Sequence, residues 1–444
     1  MIMTGKHLSA LALFLSLALA PIGLGADGRS DIVSVSTREF RLRGLATKGL
    51  DLLFERRGRV YIVVSREEIA SLAAGQVTFT FETARFAPPI PAPTLPAAGA
   101  AAAGGLNGDY HSSLELETEL RLLEAAYPQI TRLREIGRSL EGRPIYGLKI
   151  SDNPALDENE PAVVFLGCHH AREWISVEVP LLLGRHLLEN YSTDPGVRAL
   201  VDGGEIWVVP LVNPDGLEYS IHVYRYWRKN RRSNSDGSFG VDLNRNYSYR
   251  WGYDNAGSSP VPSSDVYRGT AAFSEPETDA VRRLVAGLDV RAVVSFHSYS
   301  QAILYPWAYT TQPSPRDAEL ADLAGTMSGL MAAVRGTVYA YGRSASGIGY
   351  TSNGDTADWT FGTAGIPSFT IELPPADADE GGFFNDEAEI DGIFRENIPA
   401  MLFLAGRTIG AAPPARPSLR DLDRRRALPA RFKLFRGTPL SPGY

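Results

Sequence analysis

The 444-residue sequence predicts an α/β fold in which helices flank a central mixed, mostly parallel sheet. Apolar runs without polar alternation, such as PAVVFL before Gly167, are typical of strands buried on both faces. These runs alternate with amphipathic helical segments, as in sheets whose parallel strands are joined by helices. A hydrophobic content of 44% with 21% charged residues is that of a globular protein.

Residues 1–26 have the pattern of an export signal. Lys6 supplies a positive start, and a 13-residue apolar run, LSALALFLSLALA, follows from Leu8. The run falls short of the ~20 residues that a membrane-spanning helix needs. We therefore expect a secreted protein whose mature form is soluble and not membrane-bound; an uncleaved anchor is the alternative.

Residues 27–86 predict a small α/β module. Two strand-like runs, RVYIVV from Arg59 and QVTFTFE from Gln76, enclose a helical segment, REEIASLAAG. Residues 87–108 are almost entirely Ala, Pro and Gly, which cannot form a core and predict an exposed linker. A protease would cut most readily there, so the module is expected to be separable.

Residues 109–410 predict one larger domain. A capping box at Ser112 to Glu115 opens a helix that runs toward Ala126, and a second S-x-x-E start is expected at Ser274. The predicted strands are IYGLKI, PAVVFLG, EIWVVPLV, VRAVVSFH and PSFTIEL. The further predicted helices are SVEVPLLLGRHLLENY, SEPETDAVRRLVAGL, RDAELADLAGTMSGLMAAVRG and NIPAMLFLAGRTIG.

The charge distribution argues against a nucleic-acid partner. The net charge is −7, whereas proteins that bind nucleic acid usually present a basic face. Residues 411–444 form a basic, Arg- and Pro-rich tail that holds eight of the 44 Lys and Arg residues and two of the 51 acids. The one cysteine, Cys168, excludes an internal disulfide.

Unusual polar residues follow three predicted strands. PAVVFLG is followed by CHHARE with His169 and His170, VRAVVSF by His297, and PSFTI by Glu372. Each alone is more typical of a structural residue, but the carboxyl ends of strands collect functional groups in α/β sheets. Two imidazoles and one carboxylate are a usual protein set for catalytic zinc, and no H-E-x-x-H is present. Adjacent strand residues face opposite sides, so at most one of the paired histidines should face a metal; spacing does not choose which.

With these motifs in this order, residues 110–409 resemble the zinc metallocarboxypeptidases of the carboxypeptidase A/B type, and in organisation the secreted bacterial members. The resemblance implies a zinc-dependent exopeptidase that acts on peptide and protein C-termini. It implies one Zn²⁺, held by His170, Glu173 and His297. It makes Glu372, in TIEL, the general base, and Arg228, in WRKNRR, the group that polarises the scissile carbonyl.

The resemblance also assigns substrate-binding residues. Asn244 and Arg245, in VDLNRNY, would clamp the terminal carboxylate, a task that suits a guanidinium fork. Tyr350, in SGIGYTSNGDTADW, would close over the substrate. Arg172 and Tyr299 match outer subsites. Without the resemblance, WRKNRR reads as a solvated basic face and DLNRN as a turn.

The specificity pocket is expected to be roomy. The position of Ala357 is isoleucine in relatives that prefer aromatic residues and aspartate in those that prefer basic ones, and Ala345, Gly349 and Ala308 are also small. Asp355 can place a negative charge near the wall. We therefore expect large hydrophobic C-terminal residues to be accepted, with Lys and Arg tolerated; the alternative is that Asp355 points to solvent in the SNGD turn.

By position, residues 27–86 would be the propeptide of a secreted zymogen, removed by a processing protease within residues 87–108, and the enzyme would be a monomer. Two other functions stay open from the sequence. One is a cell-wall peptidase of the same superfamily that cuts bonds to diaminopimelate. The other is an inactive protein that binds peptide ends, although such relatives typically lose a ligand or the base.

Overall fold

The computed structural model describes residues 31–45, 50–56, 58–82, 107–347, 351–378 and 380–410. The predicted signal, residues 87–106 of the linker, Gly349, Tyr350 and the basic tail lie outside these described residues. Within the described ranges, no helix combines the length and the hydropathy required to cross a bilayer.

The N-terminal module is a four-stranded antiparallel sheet with two helices on one face, which confirms the predicted α/β module. Its strands, in the order β2-β3-β1-β4, are β1 (Asp31–Ser36), β2 (Asp51–Arg56), β3 (Arg59–Val64) and β4 (Phe79–Phe81). Its helices are α1 (Thr37–Leu42) and α2 (Arg66–Ala74). Val33, Val35 and Ile62 pack with both helices, whereas Tyr61 and Val63 face the larger domain.

The larger domain is built on an eight-stranded mixed sheet. Its strands are β5 (Thr131–Arg138), β6 (Pro144–Ile150), β7 (Pro161–Leu166), β8 (Glu205–Val209), β9 (Asp289–Ser298), β10 (Ala302–Tyr305), β11 (Ala340–Arg343) and β12 (Ser368–Leu373). They are ordered β11-β10-β12-β9-β7-β8-β6-β5, and the four central strands β12, β9, β7 and β8 are parallel. The predicted mixed, mostly parallel sheet is confirmed.

Nine α-helices are described in the larger domain. They are α3 (Ser113–Ala126), α4 (Ile175–Asn190), α5 (Pro195–Val201), α6 (Pro214–His222), α7 (Pro276–Ala286), α8 (Asp317–Arg335), α9 (Ser344–Gly347), α10 (Thr356–Ala364) and α11 (Ile390–Ile409). Helices α4, α8 and α11 pack on one face of the sheet, and α7 and α10 on the other.

Strand β7 shows why its sequence lacks polar alternation. Val163 and Phe165 belong to the core on one face, and Ala162, Val164 and Leu166 to the core on the other. All five side chains are at most 1% exposed. A central strand covered by helices on both sides has no solvent-facing position, so every residue is apolar.

One of the two predicted capping boxes is present. At α3, Ser112 accepts from the Glu115 amide, and the Glu115 carboxylate accepts from the Ser112 amide. The start expected at Ser274 is wrong, because α7 begins at Pro276 with Glu275 as its uncapped N-cap residue. Proline favours the first helical position, and the Ser274 hydroxyl donates to Glu275 Oε1 instead.

Candidate active site

The parallel strands β7, β9 and β12 are neighbours, so their carboxyl ends meet at one edge of the sheet. Glu372 on β12 lies directly opposite His297 on β9. The segment CHHARE leaves β7 beside them. Gly167 permits this exit, because a Cβ there would lie 2.2 Å from the Ser176 carbonyl oxygen and 2.5 Å from that of Pro210.

His170, Glu173 and His297 converge in a buried cluster. His170 Nδ1 lies 2.8 Å from Glu173 Oε1, and His297 Nδ1 lies 3.0 Å from both Glu173 Oε2 and His170 Nδ1. All three ligand atoms fall within 4.8 Å of one another. Two imidazole nitrogens and a carboxylate that meet at one point fit the three-ligand set of a catalytic zinc site, which leaves a position for water.

The second ring nitrogen, Nε2, of His170 and of His297 also has a hydrogen-bond partner. His170 Nε2 is 3.1 Å from Asp242 Oδ1, and His297 Nε2 is 3.0 Å from Ser295 Oγ. A partner on the far nitrogen fixes the orientation of each ring and leaves Nδ1 directed at the cluster. Asp242 Oδ2 also accepts from Nε and Nη2 of Arg228, at 3.0 and 2.9 Å. Neither Asp242 nor Ser295 was predicted, although Asp242 directly precedes the LNR of VDLNRNY.

His169 turns away from this cluster. Its Nε2 is hydrogen-bonded to the Tyr247 hydroxyl at 2.8 Å, and its Nδ1 lies 3.1 Å from Ser295 Oγ. Burial, together with His297 and His170, holds the pKa of His169 well below its usual range, so the imidazole is neutral. The structure therefore distinguishes the two adjacent histidines, which spacing did not.

A cavity of about 410 Å³ lies over the cluster. Of the predicted site residues, it is lined by His170, Arg172, Glu173, Arg228, Asn244, Arg245, His297, Tyr299, Asp355 and Glu372. Ala357 is buried in α10 and is not among the residues lining this cavity in the described part of the chain. Burial and the neighbouring Glu173 carboxylate raise the pKa of Glu372 well above its usual value, although nearby arginines oppose the shift.

The short 3₁₀ turn Leu243–Arg245 presents the predicted carboxylate clamp. Asp242 caps this turn by accepting from the Asn244 amide at 2.9 Å. The Asn244 side-chain oxygen accepts from the Thr356 amide at 3.0 Å, and Arg245 Nε donates to the Gly257 carbonyl at 2.8 Å. Both side chains are thereby held at the cavity wall.

A model of the zinc carboxypeptidase family matches residues 116–400, the segment that carries this cluster and cavity. The chain belongs to the zinc carboxypeptidase family. The zinc carboxypeptidase of Saccharothrix mutabilis subsp. capreolus is 36% identical over 305 residues, which span 67% of this chain and 69% of that protein. Carboxypeptidase A1 of Rattus norvegicus is 35% identical over 303 residues, 68% of this chain and 70% of that protein.

Two solved structures are similar to this chain over a larger share of its length than these two relatives. The crystal structure of thrombin-activatable fibrinolysis inhibitor has a TM-score of 0.67 at 26% identity and covers 86% of this chain and all of that one. The crystal structure of carboxypeptidase A from Helicoverpa armigera also has a TM-score of 0.67, at 25% identity. The match covers 87% of this chain and 98% of that one. This carboxypeptidase is therefore a metal-dependent hydrolase of C-terminal peptide bonds that uses one catalytic zinc ion.

The N-terminal module of this carboxypeptidase reaches into the cavity. Asp51, at the start of β2, accepts from Nη1 and Nη2 of Arg172 at 2.7 and 2.8 Å, and its Oδ1 lies 3.7 Å from Arg228 Nη1. Burial opposes the charge on Asp51, but the two arginines outweigh it and lower the pKa of its carboxyl. Asp51 was not predicted, because its sequence neighbourhood carries no catalytic motif.

Around Asp51, apolar side chains join the two units. Ile32 and Tyr61 of the module pack with Tyr226 and Phe383 of the larger domain in one buried cluster. On the other side, Ser264 donates to Glu68 Oε1 of helix α2 at 2.7 Å. The carboxylate of Asp51 is therefore held in the cavity by a docked module.

Asp355 lies in the cavity wall, not in solvent. It is the N-cap of α10, where Oδ1 accepts from the Asp358 amide and Oδ2 from the Ser352 hydroxyl. Its side chain is buried, and burial raises the pKa of its carboxyl. Ala308 lines the same cavity, and Ala345 is buried.

Proposed function

We propose that this carboxypeptidase releases single C-terminal residues with His170, Glu173 and His297 as its zinc ligands. The convergence of these three side chains at one cavity carries the proposal. When bound, zinc supplies Lewis-acid chemistry that activates water and polarises the scissile carbonyl. The presence of both the ligand set and Glu372 argues against an inactive peptide-binding protein.

Glu372 is proposed to act as general base and then as general acid. It takes a proton from the attacking water and returns it to the leaving amine. Its raised pKa suits a group that gains and loses a proton during turnover. Arg228, anchored on Asp242 through Nε and Nη2, would stabilise the developing oxyanion.

Asn244 and Arg245 are proposed to bind the substrate's α-carboxylate, which would restrict the enzyme to chain ends. Tyr350 is assigned to closure over the substrate by resemblance only. Arg172 and Tyr299 are assigned to residues upstream of the scissile bond. Both line the cavity, and the Arg172 guanidinium already holds a carboxylate there.

The Glu372→Gln variant tests the proposed function. General acid–base groups contribute about 10²–10⁴-fold, so we expect a loss of kcat of that order on a blocked dipeptide, with zinc content unchanged. Glu158→Gln, at an exposed glutamate, is the matched control. Near-normal turnover by a zinc-loaded Glu372→Gln enzyme would reject the assignment.

We further propose that hydrophobic C-terminal residues are accepted and that Asp355 allows Lys and Arg as well. Small wall residues and a buried carboxylate at the cavity support this preference. Asp355→Asn removes the charge but keeps a side chain that caps helices well. Loss of a charge-assisted contact predicts a fall of about tenfold or more in kcat/KM for C-terminal Arg, with little change for Phe. Undiminished Arg turnover would reject the charge argument.

We also propose a secreted, monomeric zymogen. Residues 1–26 would direct export, residues 27–86 would block the cleft, and a processing protease would cut within residues 87–108. The Asp51 carboxylate in the cavity supports the blocking role. Mass spectrometry of active enzyme from the culture medium tests the scheme, because an active secreted chain that retains residues 27–86 would contradict it.

A further inference from the structure

Arg172 binds the carboxylate of a module residue, Asp51, at the wall of the cavity. Its guanidinium is 1% exposed and donates both terminal nitrogens to the two oxygens of Asp51. The guanidinium carbon lies 4.2 Å from the centre of the Phe383 ring, within the range of a cation–π contact. The geometry is that of bidentate carboxylate recognition.

The other two arginines of the cavity are anchored within the larger domain. Arg228 donates twice to Asp242, and Arg245 donates to the carbonyl oxygens of Gly257 and Asn244. Arg172 differs, because within the described part of the chain its side-chain hydrogen bonds all go to Asp51, a residue of the module. Its Nε has no hydrogen-bond partner among the described residues.

Departure of the module would therefore leave the Arg172 fork without its acceptor. An ionised acceptor that replaced Asp51 would restore both charge-assisted hydrogen bonds to the guanidinium. A peptide carbonyl offers one neutral oxygen, whereas a side-chain carboxylate offers two charged ones at the spacing of the fork. A carboxylate would therefore fit the fork better than a carbonyl, both in charge and in shape.

We propose that in the mature carboxypeptidase Arg172 selects substrates with Asp or Glu among the three residues that precede the scissile bond. This inference rests on the proposed function and on removal of the module. Asp51 Oδ1 lies 3.7 Å from Nη1 of Arg228, the proposed oxyanion-binding group. The carboxylate subsite therefore adjoins the scissile carbonyl, which confines the acidic residue to this short upstream stretch.

The test uses mature enzyme, cleaved in the linker, and blocked tetrapeptides that end in Phe. The peptides carry Glu or Gln at each of the three upstream positions in turn, and kcat/KM is measured for every pair. We expect a Glu-over-Gln preference of about tenfold at one position, reduced by added salt because the pairing is ionic.

The Glu/Gln ratio is then compared between wild type and Arg172→Gln. The ratio within one enzyme cancels any general loss of activity, so it reports charge selection rather than folding. We expect the ratio to fall to about one in Arg172→Gln and to be partly retained in Arg172→Lys, which keeps the charge but not the fork. Arg282→Gln, at an exposed arginine, should keep the full preference.

Two failures are distinguishable. Hydrolysis of all peptides with a Glu/Gln ratio near one in wild type would overturn the subsite and leave the proposed function intact; it would mean that a group of the mature domain, such as Asp377 in the same cavity, satisfies Arg172. No hydrolysis of any peptide by zinc-loaded enzyme would overturn the proposed function and the subsite together.

Discussion

Replacing Asp51 by Asn should activate the uncleaved chain. In the docked state, Asp51 and Arg172 are 2% and 1% exposed and share two short hydrogen bonds. When the module swings away, both charges can hydrate. In the variant, docking would bury Arg172 without a charged acceptor, and removing one partner of a buried pair costs about 3–5 kcal/mol.

At about 1.4 kcal/mol per factor of ten, this cost shifts the docking equilibrium by roughly 10²–10³-fold or more toward the open state. The assay is the hydrolysis of a blocked dipeptide by uncleaved wild type and Asp51→Asn, before and after limited proteolysis in the linker. We expect the uncleaved variant to exceed the uncleaved wild type by up to that factor. After cleavage and removal of the module the two enzymes have the same sequence, so their activities must converge.

Glu67→Gln, an exposed position on helix α2, is the matched control and should remain as inactive as the wild type. An intact Asp51→Asn chain with no more activity than the wild type would refute the reasoning. It would show that the apolar contacts of Ile32 and Tyr61 hold the module without help from the ion pair.

Two further predictions concern the larger domain. Asp242→Asn should weaken zinc binding by about 10–100-fold, measured by chelator competition, because Asp242 orients His170; unchanged affinity would contradict that role. Burial raises the pKa of Glu277 to about 8, so the folded state holds a proton that the unfolded chain releases above about pH 4.5. The stability this gives is complete below that pH and is lost as pH rises through 8. The Tm of the wild type should therefore fall between pH 5 and 8.5, and it should fall less in Glu277→Gln. Equal falls in the two proteins would argue against this role of Glu277.

Strands were predicted correctly from the sequence where burial on both faces makes every residue of the strand apolar. Strands β7 and β9 are covered on both faces, and their apolar runs were found from sequence. Strand β5, TRLREIGR, lies at the sheet edge with mostly half-exposed or exposed residues, and it was missed. An edge strand needs few apolar residues, so its sequence resembles a loop.

The site shows the same division. The family resemblance assigned His170, Glu173 and His297 to one metal site, and all three side chains meet in space. Asp355 had two readings, pocket wall or solvent-facing turn, and its burial as the N-cap of α10 excludes solvent.

The sequence by itself predicted the α/β class, which the structure confirms, and the segments that bring His170, Glu173 and His297 together. Spacing left open which of the paired histidines faces Glu173 and His297, and the tertiary structure shows that it is His170. Only the tertiary structure shows that Asp51 enters the cavity. The physical reason is that side-chain direction beyond a strand end depends on the turn that follows it. The contact between Asp51 and Arg172, 121 residues apart, depends on how two separately folded units dock.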